Sequence, residues 1–346
     1  MAAACIIVAM VWYGWREATE RALYGERGFF RRPDSPPSQH FRTSVHTGPV
    51  FAEAVCRLAH DAALTTVVDV GAGGGELLAA LHARDPSLDL IGVDLAERPP
   101  ALPADVGWQH EVPATAGALL VANEWLDNVP VDVVELADDG WRLVLVDPAT
   151  GAERLGPPPA DDDADWLATW WPAEDAGEVG ARAEVGRPRD RAWAAAVGRL
   201  TDGLAVAIDY AHDRTTRPSA GSLTGYRDGR QVPPVPDGSC DVTSHVALDA
   251  CAAAGIGAGA TATLLTTQRT ALTALGVPRD APPYELSRTD PAGYLRALSR
   301  AGEAAELTDP GGLGGFGWLL QARGLRRVPL DAARPPTPPA SGAGGG

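Results

Sequence analysis

Val67-Val68-Asp69-Val70-Gly71-Ala72-Gly73-Gly74-Gly75-Glu76 is the stretch from which the fold can be read. A β-branched apolar run passes straight into a glycine cluster, and Leu77, Leu78 and Leu81 then share one helical face. The pattern predicts strand, tight turn and helix. Glycine suits such a turn because it accepts positive φ and lets the backbone come close to a ligand. The first amides of the helix would point at that ligand, with the positive end of the helix dipole behind them.

The spacing narrows the ligand. A dinucleotide fingerprint anchored at Gly71 and Gly73 needs a third glycine where Glu76 stands, and one anchored at Gly73 and Gly75 needs it where Leu78 stands. Neither register fits, which disfavours a nicotinamide oxidoreductase. Asp69 followed by Gly71, Gly73 and Gly75 instead resembles the first motif of class I S-adenosylmethionine (SAM) methyltransferases. Leu88 to Asp94 reads as a second strand closing on an acid, about twenty residues after the turn, where a carboxylate meets ribose hydroxyls.

The 346 residues, 45% hydrophobic and 21% charged, suffice for one elaborated domain. A net charge of −16 argues against a general nucleic-acid binder, whose affinity comes from cations on phosphates, and favours a basic substrate. Cys5, Cys56, Cys240 and Cys251 form neither a Cys-x-x-Cys pair nor a ligand pattern with histidine. Free thiols in a reducing, cytoplasmic compartment are expected. The apolar run from Ala2 to Tyr13 is too short to cross a bilayer and lacks the charged start of a secretory signal, so no membrane partner is expected and an N-terminal helix or start-site extension is.

Along the chain, residues 1–60 read as an N-terminal helical and loop segment, with helical spacing over Trp15 to Leu23 and Val50 to Ala59 around a proline-rich loop at 33–39. Residues 61–150 carry the first half of the core. There Gly117 to Ala122 is an apolar run suited to a strand buried on both faces, ending in Asn123-Glu124-Trp125-Leu126-Asp127. Val133 to Val146 reads as a hairpin turned at Asp138-Asp139-Gly140. Residues 151–200 read as an insertion capping the site. Its acidic run, Asp161 to Asp165, is expected to be a solvated loop, since a calcium loop would need Gly where Trp166 stands. Residues 201–330 hold the rest of the core, with a substrate-side insertion at 211–240 and a helix from Asp241 to Gly255; the Pro, Ala, Ser and Gly of 331–346 read as a disordered tail.

Ordered short motifs over about Trp15 to Leu320 make the chain similar to the MidA-like family of SAM-dependent methyltransferases, which includes the mitochondrial complex I assembly arginine methyltransferase. They are Ala22-Leu23-Tyr24-Gly25 with Gly28-Phe29-Phe30, His40-Phe41-Arg42-Thr43-Ser44, Asp69 to Gly75, and Asn123 to Asp127 with Val129-Pro130-Val131. Ile208-Asp209-Tyr210, Gly221-Ser222-Leu223 with Tyr226, Asp241-x-Thr243-x-His245-Val246 and Thr267-Gln268 continue the pattern. The chain departs from it at Gln39-His40, Asn128 and Asp228-Gly229. The resemblance implies a Rossmann-like class I methyltransferase fold, an α/β architecture with a seven-stranded, mostly parallel sheet, and SAM as cofactor.

Within that frame Thr43, Ser44, Asp69, Gly71, Gly73, Gly75, Asp94 and Asn123 are the candidate cofactor-binding residues, and no metal is expected. The expected reaction is methyl transfer to a protein substrate presenting arginine. A guanidinium is cationic in solution, with a pKa above about 12, and needs carboxylates to hold it. Glu124 and Asp127, on the loop after the apolar strand, are the candidates for that role. The alternatives are that Asn123 and Glu124 only brace the loop or bind cofactor, that the acceptor is a small molecule, or that the chain is a SAM-binding docking factor without transfer. His245, Asp241 and Thr243 are as readily structural as substrate-facing. The motifs leave the oligomeric state open.

Overall fold

The computed structural model describes residues 11–31, 43–278, 280–325 and 327–330. The His40-Phe41-Arg42 part of one motif, the proline-rich loop at 33–39 and the C-terminal tail lie outside the described residues.

The main sheet has seven strands, here numbered β1 Thr66–Val70, β2 Asp89–Val93, β3 Gly107–Gln109, β4 Thr115–Asn123, β5 Leu200–Asp209, β6 Ala262–Thr267 and β7 Gly317–Arg323. Their spatial order is β6-β7-β5-β4-β1-β2-β3. The pairings from β5 through β3 are parallel, whereas β7 runs antiparallel to both β5 and β6. The sheet is therefore mixed on one side, an α/β methyltransferase-like arrangement. Strand order reverses between β1 and β4, and in an open α/β sheet the ligand crevice lies beyond the carboxyl ends at such a reversal.

Alternation along the central strands explains their continuous apolar sequence. Val67, Leu119, Val121, Leu204 and Val206 face the helices Pro49–Asp61 and Glu76–Arg84, with Phe51, Leu58, Leu78 and Leu81. Val68, Leu120, Ala205 and Ala207 face Arg187–Arg199 and Leu248–Gly257, with Trp193, Val197 and Cys251. Both faces are covered, as parallel strands require. Helix Arg187–Arg199, expected within the insertion, thus packs directly on the sheet. A buried glutamine joins the layers: Gln321 Oε1 accepts from Trp193 Nε1 at 2.7 Å, and its Nε2 donates to Ala252 O at 2.8 Å and Thr263 Oγ1 at 3.0 Å.

A second sheet lies beside the first. The hairpin forms over Val133–Ala137 and Gly140–Val146, flanked by Arg182–Glu184 and by Tyr13–Gly14, whose Tyr13 sits opposite Val146. Tyr13, the last residue of the N-terminal apolar run, therefore lies in a strand, and residues 2–10 of that run lie outside the described residues. Two differences from the sequence reading have physical causes. Asp161–Trp170 is a helix, not a solvated loop: its acids occupy the first turn, where the dipole favours them, and Arg187 Nε binds Asp163 at 2.6 Å. The expected Asp241 helix starts only at Leu248, because Asp241–Thr243 pairs with Thr224–Arg227 and Val246–Ala247 with Ala211–His212. Among the described residues no helix is long and apolar enough to cross a membrane.

Replacing Trp193 by Phe keeps an aromatic side chain but deletes the donor to Gln321, leaving one buried acceptor unmatched and a void where the larger indole stood. Chemical denaturation should show a loss of about 1–3 kcal/mol for Trp193→Phe.

Candidate active site

The β1 turn folds as its glycines demand. Gly71, Gly73 and Gly75 have φ of +74°, +54° and +76°. A Cβ at Gly71 would meet Trp125 Cδ1 at 2.7 Å and one at Gly75 would meet Leu102, so these two are packed against side chains. A Cβ at Gly73 would meet nothing within 4 Å, so this is where the turn opens outward. The β2 terminus reaches back to it: Asp94 Oδ2 accepts from Gly73 N at 2.8 Å, and its Oδ1 accepts from Ala96 N at 2.8 Å. Asp69 lies beneath the turn, nearly fully buried, and burial followed by the charges of Asp94 and Glu76 pushes its pKa up to about 7.

On the other side of the strand reversal stands the loop after β4. Glu124 adopts φ +51°, a left-handed conformation rare for a side-chain-bearing residue, while its N–H donates to Ile208 O at 2.7 Å. Its Oε1 accepts from Ser44 N at 3.2 Å and from Asn123 Nδ2 at 3.1 Å. Burial and then the charge of Asp127 raise the Glu124 pKa to about 8. Asp127 is buried; its Oδ2 accepts from Thr243 Oγ1 at 3.0 Å. Asp209, at the end of β5, accepts from Leu126 N at 3.1 Å and Asp127 N at 3.4 Å. Burial drives both carboxyls upward, Asp209 further because Asp127 adds a like charge while Arg189 holds Asp127 down. Asp241 is 4% exposed, and burial with the Asp127 charge takes its pKa to about 8.

Arg189 ties this group together. Only 2% exposed, it donates to the carbonyls of Asp127, Val129, Ser244 and His245 and to Ser244 Oγ at 2.7–3.1 Å. Tyr24 closes the same region, its hydroxyl donating to Asn128 O at 2.9 Å and its pKa raised by burial and by the charges of Asp241, Asp127 and Asp94. Tyr210 stacks on His245 with centroids 5.8 Å apart.

The sequence candidates thus fall into two linked groups. Asp69, Gly71, Gly73, Gly75 and Asp94 form the turn. Asn123, Glu124 and Asp127 form the facing loop, which the Ser44–His46 turn meets through the Ser44 amide, and Trp125 against Gly71 joins the two groups. The hydroxyls of Thr43 and Ser44 are engaged locally, Thr43 Oγ1 with His46 Nδ1 at 2.7 Å and Ser44 Oγ with Gln268 Oε1 at 3.2 Å. It is the Ser44 backbone amide that faces Glu124.

A family model described as "Putative S-adenosyl-L-methionine-dependent methyltransferase" matches residues 90–266, just over half of the chain. The chain belongs to this methyltransferase family. Among solved structures, a Burkholderia thailandensis protein bound to S-adenosyl-homocysteine is similar at 26% identity, over 93% of this chain and 91% of that one, with a TM-score of 0.75. A second, uncharacterized protein structure from the same organism matches at 28% identity, over 92% and 90%, with a TM-score of 0.73. No curated protein matches the chain.

SAM is accordingly the cofactor of this methyltransferase, and the residues present fit it. The open backbone at Gly73 is the kind of cradle a Cβ would fill. Asp94 spends one acceptor position per oxygen on the backbone, and each carboxylate oxygen has a second lone pair left for a ribose hydroxyl. Sequence reasoning missed Arg189, named Tyr24 only as part of a motif without a role, and left Asp241 undecided, because an arginine in a helix and an acid in a strand carry no local mark of burial.

Asp69, Glu124 and Asp241 are carboxyls whose pKa values rise on folding, to about 7, 8 and 8. Their protonated forms stabilise the fold fully below the unfolded carboxyl range, and that contribution is lost as pH climbs through the raised values. The melting temperature of the cofactor-free protein should therefore fall from the ordinary carboxyl range, about pH 4, up to about pH 8 and level off above it. Glu124→Gln and Asp241→Asn, with no proton to lose, should each flatten the fall.

Proposed function

We propose that this methyltransferase transfers the methyl group of SAM to a guanidinium nitrogen of a protein arginine. The supporting observation is a set of buried oxygens without a donor: Asn123 Oδ1, Asp127 Oδ1, Asn128 Oδ1 and Asp241 Oδ1. All are acceptors, around a loop rich in carboxyls. A guanidinium offers five donors in a planar fork and no acceptor, which is the complement of that set. That the acceptor is a protein rests on the resemblance to the MidA-like family and its arginine methyltransferase member.

Bound SAM supplies an electrophilic methyl group. The chain's own part is to align the acceptor and take away a proton, since an arginine nitrogen sheds one as its new bond to carbon forms. Glu124 is suited to receive it. With a pKa near 8 it is a stronger base than an ordinary carboxylate and titrates close to working pH. Its left-handed backbone turns the side chain off the strand end toward Ser44 N, and strain of that kind concentrates at working sites. Asp127 and Asp241 would clamp the cation, with Arg189 holding the loop that carries Asp127. Asp94 and the Gly71 to Gly75 turn would hold the nucleoside.

Incubation of cell extract with labelled SAM, followed by mass spectrometry of whatever carries the label, tests the reading. Arginine-bearing protein should be labelled. Glu124→Gln should bind SAM as the parent does yet transfer about a hundredfold or more slowly, the usual size of a lost general base. SAM binding with no labelled protein or metabolite would instead favour a docking role.

A further inference from the structure

Away from the SAM crevice, a cavity of about 240 Å³ opens between the second sheet and the 221–235 segment. None of the residues at the glycine turn or the Glu124 loop lines it. Its walls are apolar, formed by Trp15, Val133, Leu223, Pro233, Pro234 and Val235. Its polar side chains are Thr150 and three charged groups, Glu153, Arg182 and Glu184, two acids to one base. Arg182 spans Glu135, at 2.9 Å, and Glu153, at 2.8 Å, so one cation serves two carboxylates. Glu184, also in the lining, is 3% exposed and has no arginine or lysine on it: Oε1 accepts from Ser222 N at 2.6 Å and Leu223 N at 3.0 Å, while Oε2 is buried with no donor.

The backbone is shaped around that carboxylate. Gly221 has φ +70°, and a Cβ there would meet Glu184 Oε1 at 2.9 Å. The turn thus brings two amides onto one oxygen and leaves the other free. An acceptor left unmatched in an apolar site costs about 1–3 kcal/mol, which a ligand N–H would recover. A long aliphatic stem along proline and tryptophan, ending in a cationic donor, matches both the walls and the floor.

We propose that this cavity is a second recognition site, taking an arginine or lysine side chain of the protein acceptor at a position other than the methylated one. The identity of the occupant as part of the acceptor rests on the proposed function; the binding of a cation in the cavity does not. The two sites are mechanically joined. Thr224, next to Leu223, pairs with Thr243, whose hydroxyl holds Asp127, and Ser222 Oγ accepts from His245 N at 2.9 Å. Occupation of the cavity therefore bears on the strand that carries Asp241.

Saturation-transfer NMR with N-butylguanidinium on the full chain tests the site, using the Glu124→Gln background to weaken the acceptor position. Glu124→Gln should still bind the probe. Adding Glu184→Gln, which keeps an oxygen for the two amides but places a donor where Oε2 was, should weaken binding at least tenfold. Adding Ala220→Trp at the exposed rim, which plugs the cavity and leaves Glu184 intact, should do the same, with melting temperature and SAM affinity confirming that both variants fold. Equal binding by the plugged and unplugged proteins overturns the proposal, as does absence of binding in the Glu124→Gln background. Binding by the parent that is lost in Glu124→Gln alone would uphold the acceptor reading and reject the cavity.

Discussion

One buried cation sets the shape of the catalytic side of this molecule. Arg189 lies on a helix that packs against the main sheet, yet its guanidinium reaches carbonyls on two separate loops, 127–129 and 244–245. Desolvating an arginine is expensive, and the cost is tolerable here because its hydrogen bonds are directed and several carboxyls lie within its field. None of those bonds goes to a carboxylate. The charge of Arg189 therefore acts on Asp127, Asp209 and Glu184 without being consumed by any one of them. With the Thr243 hydroxyl on Asp127, Arg189 ties the loop carrying Asp127 to the segment that follows the Asp241 strand.

The consequence is a site with more acid than its surroundings can ionise. Burial raises Asp69, Glu124, Asp127, Asp209 and Asp241, and near Asp127 the Arg189 charge opposes the trend together with hydrogen bonds from Thr243 and the Asn128 amide. At neutral pH such a group holds protons that a bound cation would displace. The chain carries a net charge of −16, and the unmatched buried oxygens of this site are acceptors, which a donor and not a further acceptor would satisfy.

The turn and its two acids were legible because they are local. Strand period, glycine positions and the distance to Asp94 all lie within about thirty residues, where steric rules act directly. The hairpin at Val133 to Val146 was legible for the same reason. What escaped depends on partners far along the chain. Tyr13 joins a sheet only because Val146 is there, and Asp241 sits in a strand because Thr224–Arg227 pairs with it. The Asp161 run reads as solvated until Arg187 is known to lie beside Asp163. Ser44 illustrates a finer limit. Its motif position was informative, but its hydroxyl serves Gln268 and its amide serves Glu124, a division that composition cannot reveal.

The central claim is that the glycine turn, Asp94 and the Glu124 loop bound one crevice, in which a nucleoside on one side faces carboxyls on the other. A crystal structure of the protein with S-adenosyl-homocysteine tests it most directly. The account predicts ribose hydroxyls on Asp94 and the homocysteine sulfur turned toward the space beside Glu124 and Asp241. A sulfur directed away from those carboxyls, or a ribose held elsewhere than Asp94, would contradict it.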